Sequence, residues 1–319
     1  MVLKKSLVII AVAVSLWWAV PAHAFFGANL LPFGDYFGLN QGCGSCEEPC
    51  RLISPPTAYV GWNDDPLGIV WSGDSSSSLA GATRLAQRHR VRGWWVGVTQ
   101  PVNVSENLTI LGSGWYLFPQ GTDTTEYYNT TNILRRTWSV QDEWWFVDGV
   151  AAFQIGYTGG FSLLAGLRYD YFYSKFSNPV NSNIATAPAD EATAESKATI
   201  PLLGTQYAVN GPVTSLAVRF VGFPTVAGSL NTNENIGAGA FVFQGSSNYQ
   251  GGYFFEFFSE ASRQFAGAKI GAFVRWSAFH GKLPSFDVSS TGIVNSARSF
   301  DFAVDRHSWT VGGTVSVAF

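Results

Sequence analysis

The chain has 319 residues, of which 46% are hydrophobic, 15% aromatic and only 13% charged, with a formal net charge of −3 at pH 7. Such a chain is too aromatic and too poor in charge for a typical secreted soluble domain, and its negative charge argues against a nucleic-acid partner. After residue 24, no stretch approaches the roughly 20 consecutive apolar residues that a membrane-spanning helix needs.

Residues 1–24 have the pattern of a secretory signal peptide. Two lysines precede an apolar run from Leu7 to Val20, and small residues stand at the cleavage positions before and at Ala24. Removal of this segment with its lysines changes the net charge from −3 to −5. We therefore expect an exported chain without a transmembrane helix. For such a chain to sit in lipid, a closed β-barrel is the structure that satisfies the backbone of every strand.

Residues 25–56 are rich in Gly and Pro and are predicted to form a periplasmic arm or plug. This segment contains all three cysteines, Cys43, Cys46 and Cys50. In an oxidising compartment they can form one local disulfide with a third thiol left over. A metal site is the alternative, although three ligands are one fewer than a closed structural site usually has. The remainder, residues 57–319, is predicted to be a barrel domain, and no cofactor is expected.

From Thr57 onwards, blocks of alternating apolar and polar residues predict an antiparallel up-and-down transmembrane β-barrel of about ten strands. The predicted strands are Ala58–Trp62 (extending as far as Trp71), Arg92–Thr99, Leu108–Phe118, Trp144–Tyr157, Phe161–Phe176, Thr199–Val209, Val213–Gly222, Gly252–Arg263, Ala268–His280 and a closing strand to Phe319. Long polar loops are predicted at Gly121–Arg136, Asn178–Lys197, Phe223–Gln250 and Gly281–Asp305. Because the first strand has the weakest pattern, eight and twelve strands stay open.

The closing strand sets the faces of the barrel. From Trp309 to Phe319 every second residue is apolar or Gly, and the residues between are small or weakly polar. With its aromatic last residue, this stretch resembles the terminal strand of bacterial outer-membrane β-barrels. The resemblance implies an outer-membrane location, with Phe319 as the signal read by the barrel-assembly machinery and with membrane lipid and lipopolysaccharide as neighbours.

Aromatic residues toward the long-loop ends of the strands predict a girdle at one membrane interface. The predicted girdle comprises Trp94, Trp115, Tyr116, Phe118, Trp144, Trp145, Tyr171, Tyr173, Phe223, Tyr253, Trp276 and Phe279. Such a girdle favours a membrane barrel over a soluble sandwich with the same alternation.

The faces opposite the predicted lipid face carry charges of both signs. The predicted lumen residues are Asp148, Arg168, Asp170, Arg219, Glu256, Glu260, Lys269 and Arg275. A barrel of eight to ten strands has little room inside, so these groups are expected to pair with one another. The pairs would form a salt-bridged, plugged lumen or line a narrow, gated ion pore. A large diffusion porin is disfavoured, because it needs roughly sixteen strands.

Ten strands with short inner turns also resemble the omptin outer-membrane proteases, notably over Leu108–Trp115, Ile200–Tyr207 and the closing strand. The resemblance implies acidic pairs at the extracellular rim, one of them an Asp-x-His after the sixth strand. Phe223–Gln250, the matching stretch here, contains no Asp and no His. Asp305 and His307 stand two residues apart on the last strand instead, and they are the weak candidates for a hydrolytic base and its orienting group.

The sequence therefore predicts a structural or narrow-pore outer-membrane protein without enzymatic activity. A surface hydrolase using Asp305 and His307 is one alternative. Binding of a partner through Asn178–Lys197 and Asp287–Arg298 is another. The oligomeric state is not specified by the sequence.

Overall fold

In a computed structural model of the chain, the described residues are 54–75, 84–105, 107–120, 123–128, 134–155, 160–181, 191–210, 214–236, 241–265, 267–291 and 297–317. The predicted signal peptide, the three cysteines Cys43, Cys46 and Cys50, and Phe319 lie outside these residues. Within them, the prediction of an all-β, antiparallel barrel is confirmed.

The described residues form thirteen strands in one closed sheet. They are β1 (Thr57–Ser75), β2 (Arg84–Ser105), β3 (Leu108–Pro119), β4 (Asp123–Tyr128), β5 (Leu134–Gln154), β6 (Phe161–Asn181), β7 (Glu191–Asn210), β8 (Thr214–Phe223), β9 (Ala227–Ile236), β10 (Phe241–Asn248), β11 (Gly251–Phe265), β12 (Ala268–Thr291) and β13 (Ala297–Val317). The first and last strands pair antiparallel, with Thr57 opposite Ser316, and this pairing closes the barrel.

The thirteen strands occupy ten positions around the barrel, which we call staves. Three of the staves are interrupted and consist of two strands in succession. β3 and β4 follow one another between the same neighbours, β2 and β5. In the same way β8 and β9 both pair with β7, and β10 and β11 both pair with β12. The predicted count of ten is therefore confirmed, with three strands broken part-way.

Glycines with positive φ stand beside two of these breaks. Gly228 has φ of 148° and Gly252 has φ of 142°, values that residues with a side chain rarely adopt. A Cβ at either position would lie 2.0 Å from a backbone oxygen, of Lys197 and of His280 respectively. Two of the three interrupted staves therefore have, next to the interruption, a position that only glycine can occupy without strain.

The prediction of long polar loops is wrong for most of their length. β6 continues to Asn181 and β7 starts at Glu191, so most of the predicted loop Asn178–Lys197 is hairpin. β9 and β10 likewise form a hairpin within Phe223–Gln250. A strand crosses a bilayer in roughly 9–11 residues, and β6 has 21. The staves therefore project well beyond the apolar band, where the outward face is polar, as at Lys197 and Glu195, while apolar residues such as Leu230 are still buried on the inward face.

Alternation along each stave agrees with the predicted faces. On β6, Phe161, Leu163 and Leu167 are exposed, whereas Arg168 and Asp170 are buried inside the barrel. On β13, Trp309, Val311 and Val315 are exposed on the outer face. Within the described residues, no helix is long and apolar enough to cross a membrane.

The predicted girdle is wrong at three positions. Trp115, Trp144 and Phe279 are buried in the barrel interior, because each occupies an inward position of its strand. The outer face has other aromatic pairs, including Trp62 with Trp94, whose ring centroids are 5.1 Å apart. The position of a residue along its strand predicts how far its ring lies from the membrane centre. Whether the ring faces lipid or the lumen depends on the alternation, because neighbouring residues of a strand point to opposite faces.

Candidate functional site

The barrel interior is filled by aromatic rings. Buried rings from many staves contact one another, among them Tyr59, Trp95, Trp115, Trp144, Phe146, Phe172, Phe258 and Phe273. The Trp115 and Phe146 rings are stacked with centroids 6.1 Å apart, and Trp95 meets Trp144 edge-on at 5.3 Å. The middle of the barrel is therefore a packed core.

A charge cluster crosses this core at mid-height, centred on Glu256 of β11. Its Oε2 forms an ion pair with Nη1 of Arg168 at 2.9 Å, and its Oε1 accepts a hydrogen bond from Nη2 of Arg219 at 3.0 Å. Nε of Arg275 lies 3.7 Å from Oε2. These arginines come from β6, β8 and β12. The Glu256 carboxylate of β11 therefore links four different staves through its ion pairs.

Arg168 joins the cluster to the opposite wall. Its Nη2 donates to Oδ2 of Asp148 at 2.7 Å, and Asp148 also accepts the hydroxyl of Ser113 at 2.5 Å. Arg168 is 2% exposed, and its guanidinium lies 4.0 Å from the ring centre of Phe146. Asp148 and Glu256 thus hold Arg168 from both sides.

Arg275 is held by rings rather than by hydrogen bonds. Its guanidinium carbon lies 4.6 Å from the ring centres of Trp95 and Phe146 and 4.8 Å from that of Trp115. It is 1% exposed, and none of its guanidinium nitrogens has a hydrogen-bond acceptor among the described residues. Cation–π attraction and the Glu256 charge are the forces that keep it there.

Polar groups also cross the lumen on both sides of this cluster; we call the end with the long hairpins the top of the barrel. Above the cluster, Arg306 donates to Asp170 at 2.6 Å, and Nε1 of Trp144 donates to the same carboxylate at 3.2 Å. Below it, Glu260 accepts the hydroxyls of Tyr59 at 3.1 Å and Thr314 at 3.2 Å. The barrel is therefore bridged at three heights.

All eight predicted lumen residues lie inside the barrel, seven of them buried and Arg219 partly so. Sequence reasoning missed Arg306, which is 1% exposed. It precedes His307 in a run of polar residues at the start of the predicted closing strand. Extending the alternation of Trp309 and Val311 backwards by a few residues would have placed Arg306 inward.

A cavity of about 20 Å³ remains at the end of the interior near the short turns. Its walls include Tyr59, Gln206, Arg219 and Phe258. This volume holds about one water molecule. It is far too small to connect the two ends of the barrel.

The structure does not bring Asp305 and His307 together as a pair. Oδ1 of Asp305 instead contacts Nδ1 of His280 at 2.7 Å, and His280 stacks on Tyr253. Both Asp305 and His307 alternate with the inward residues Arg306 and Val304, which places them on the outer surface. Their position outside the barrel gives them no enclosed cleft to act in.

A second histidine–carboxylate pair lies inside, toward the end with the longer hairpins. Nε2 of His89 lies 3.2 Å from Oδ1 of Asp142, and this oxygen also accepts the hydroxyl of Ser174 at 2.7 Å. The His89 side chain is fully buried, and its Nδ1 has no partner among the described residues. Ser174 donates to the carboxylate and not to the imidazole, so it is not arranged as an activated nucleophile. Sequence reasoning did not identify this pair, because its members lie 53 residues apart.

No group of three or more potential metal ligands occurs among the described residues. The cysteines proposed as disulfide or metal ligands lie outside them.

No protein-family model matches the chain, and no curated protein matches it by sequence. Among solved structures it is similar to the outer membrane protease OmpT from Escherichia coli, with a TM-score of 0.64 and 10% identity over 86% of this chain and 100% of that one. The translocator domain of the autotransporter NalP from Neisseria meningitidis is 12% identical, with a TM-score of 0.37 over 83% and 89% of the two chains. The transport unit of the autotransporter AIDA-I from Escherichia coli is 10% identical, with a TM-score of 0.40 over 91% and 100%. The first of these similarities extends to the fold, and the chain has the closed ten-stranded architecture of the omptin barrel.

Proposed function

We propose that this chain is an integral outer-membrane barrel that is closed to solutes and acts as a rigid scaffold for its projecting rim. An outward apolar band, with exposed side chains such as Leu167 (59% exposed) and Val311 (59%), supports a membrane position. Short turns at one end and long hairpins at the other support the usual orientation, with the hairpins outside the cell.

The single observation that carries the closed lumen is the Glu256 cluster. One buried carboxylate contacts three arginines from different staves, and the rings of Trp95, Trp115 and Phe146 fill the remaining cross-section around Arg275. Opening a path for a hydrated ion would separate several of these contacts at once. Because breaking a buried ion pair leaves an uncompensated charge, such opening is strongly disfavoured.

The rim is the part of the protein available to partners. Ion pairs on its outer face, Arg90 with Asp64 and Lys197 with Glu195, are partly exposed and lie above the apolar band, as expected for staves in water. The rim segments Asn178–Lys197 and Asp287–Arg298 are the proposed binding surface. Lipid, lipopolysaccharide and the barrel-assembly machinery are the proposed partners of the outer wall.

Two measurements test this proposal. The folded protein should fractionate with outer membranes and migrate faster on detergent gels before boiling than after it. Proteoliposomes that contain it should retain small sugars as well as protein-free liposomes do. Recovery in the soluble fraction, or swelling of the proteoliposomes in small sugars, would refute it.

A surface hydrolase is the second candidate, and the buried pair of His89 and Asp142 is the observation that favours it. A carboxylate that orients an imidazole is the usual arrangement of a general base. The hypothesis requires the rim to open, because His89 is fully buried. Peptide cleavage that disappears in His89→Ala and persists in His307→Ala would support it, and the absence of any cleavage by the wild-type barrel would remove it.

A further inference from the structure

A groove lies on the outer wall of the barrel near the short turns. It has a volume of about 620 Å³ and is lined by residues of β7, β8, β11 and β12. Val209, Leu216 and Ile270 border it and are 45%, 44% and 50% exposed. Between them the wall is recessed, because Ala261 of β11 and its register partner Ala272 of β12 have small side chains. The groove therefore offers an apolar recess in the part of the wall that we place in the membrane.

The end of the groove that faces the turns is polar. Arg263 and Thr214, both exposed residues of its lining, are register partners. They stand two residues nearer the turns than Ala261 and Leu216, which are partners in the same way. From the Glu256 cluster to the short-turn end, Arg263 is the only charged side chain on the outer face of the described residues. The groove thus combines an apolar recess with a single cation.

Arg263 lies at the level of the lipid headgroups. On β11 it is ten residues from Tyr253, an outward aromatic residue that is 40% exposed. A strand crosses the hydrocarbon in roughly 9–11 residues, so Tyr253 and Arg263 mark its two boundaries on this stave. The guanidinium carbon lies 5.4 Å from the ring centre of Phe265, which is 52% exposed, and cation–π attraction keeps it at this surface. An arginine at this depth meets the phosphates of the periplasmic leaflet.

We propose that this groove is a binding site for one phospholipid of the periplasmic leaflet, with its phosphate on Arg263 and part of an acyl chain in the recess. A guanidinium group matches a phosphate because its N–H donors can bind two of the oxygens together. The volume of the groove lies within the range of about 300–1,000 Å³ that small-molecule sites have. The proposal rests on the membrane position and orientation proposed above, because these set the depth of Arg263.

A specific site differs from the lipid that surrounds any barrel in the two features that it needs. Surrounding lipid contacts all staves alike. The proposed site requires the charge of Arg263 and the space over Ala261 at the same time. Each feature can be removed by a substitution on the outer face that leaves the packed lumen unchanged.

The test is native mass spectrometry of the folded barrel in detergent, titrated with phosphatidylglycerol. The wild type should retain one lipid molecule more tightly than any further ones. Arg263→Gln should raise the dissociation constant of this lipid about tenfold, because hydrogen bonds between charged groups are lost. Ala261→Phe fills the recess from the lipid side without changing any charge, and it should weaken binding as well.

Lys282→Gln is the matched control, because it removes an exposed cation from the outer face near the long hairpins. This variant should bind phosphatidylglycerol as the wild type does. Diacylglycerol with the same acyl chains is the second probe. Because it lacks the phosphate, it should bind the wild type more weakly, and Arg263→Gln should not change its affinity.

An unchanged dissociation constant in either Arg263→Gln or Ala261→Phe would mean that lipid only surrounds the barrel, and it would overturn the proposal. Equal losses in Arg263→Gln and Lys282→Gln would show an effect of charge without a site and would overturn it too. Both results can be obtained with a barrel that fractionates with outer membranes and retains small sugars in liposomes. A failure of the lipid site is therefore distinguishable from a failure of the proposed membrane barrel, which recovery in the soluble fraction would reveal.

Discussion

Replacing Glu256 by Gln should destabilise the barrel more than any exposed charge substitution. The carboxylate is 1% exposed and lies 2.9 Å from Arg168, 3.0 Å from Arg219 and 3.7 Å from Arg275. The amide removes the negative charge, and its NH₂ group can only donate toward guanidinium groups that also donate. Losing one member of a buried ion pair costs about 3–5 kcal/mol, and here three cations lose the same partner. We therefore expect a loss at or above about 3 kcal/mol.

The assay is equilibrium urea unfolding of the barrel in lipid or detergent, followed by tryptophan fluorescence. Glu195→Gln is the matched control, because Glu195 makes a 3.0 Å pair with Lys197 at the rim where the two side chains are 29% and 43% exposed. Such a pair contributes about 0–1 kcal/mol. If the two variants lose similar free energy, within about 1 kcal/mol of each other, the Glu256 cluster does not hold the lumen together.

Three further predictions concern the packing, the lipid face and the rim. Gly97→Ala should cost about 1–3 kcal/mol of stability through overpacking, because its Cβ would lie 2.3 Å from Cδ2 of Trp115. Gly114→Ala is the control and should be nearly neutral, because the atom nearest to its Cβ would be 3.8 Å away. Equal losses of stability in urea unfolding would contradict this prediction. Val311→Arg on the lipid face should cost about 2–4 kcal/mol when the barrel is unfolded from bilayers, and a neutral result would place Val311 outside the hydrocarbon. A hydrogen bond from Arg90 lowers the pKa of Asp64; burial opposes this shift, and the positive charges of Arg90 and Arg92 add to it. The small stability that the pair contributes should therefore be present above the ordinary Asp pKa and lost as the pH falls through the lowered one. NMR titration should find the pKa of Asp64 higher in Arg90→Ala than in the wild type, and an unchanged value would refute the pairing.

The membrane part of the fold could be predicted because there each residue has one of two environments. On β13, Trp309 and Val311 meet lipid while Ser308 and Thr310 meet the lumen, so a period of two is visible in the sequence. Beyond the membrane the outward face of a stave is polar, and along β9 the inward face has few apolar residues, buried Leu230 being one of them. The hairpin of β9 and β10 therefore had no pattern that distinguishes a strand from a loop.

The candidate site was predictable in its composition but not in its pairing. Alternation placed Arg168 and Glu256 on inward faces, but their contact joins β6 to β11 across the lumen, 88 residues apart in the chain. Which inward groups meet depends on the stagger of the staves around the barrel. The stagger also decided that Asp305 meets His280, its register partner on β12, and not His307.

Conductance of the wild-type barrel in planar bilayers tests the closed lumen most directly. The protein is delivered to the bilayer by fusion of proteoliposomes. In these proteoliposomes, the faster gel migration of the unboiled protein verifies that it is folded and inserted. With the interior bridged by Glu256 and filled around Arg275, inserted protein should give no discrete current steps at either polarity. Reproducible steps from the wild type, with a size that changes in Arg275→Ala, would contradict the closed barrel and establish a narrow pore lined by these charges.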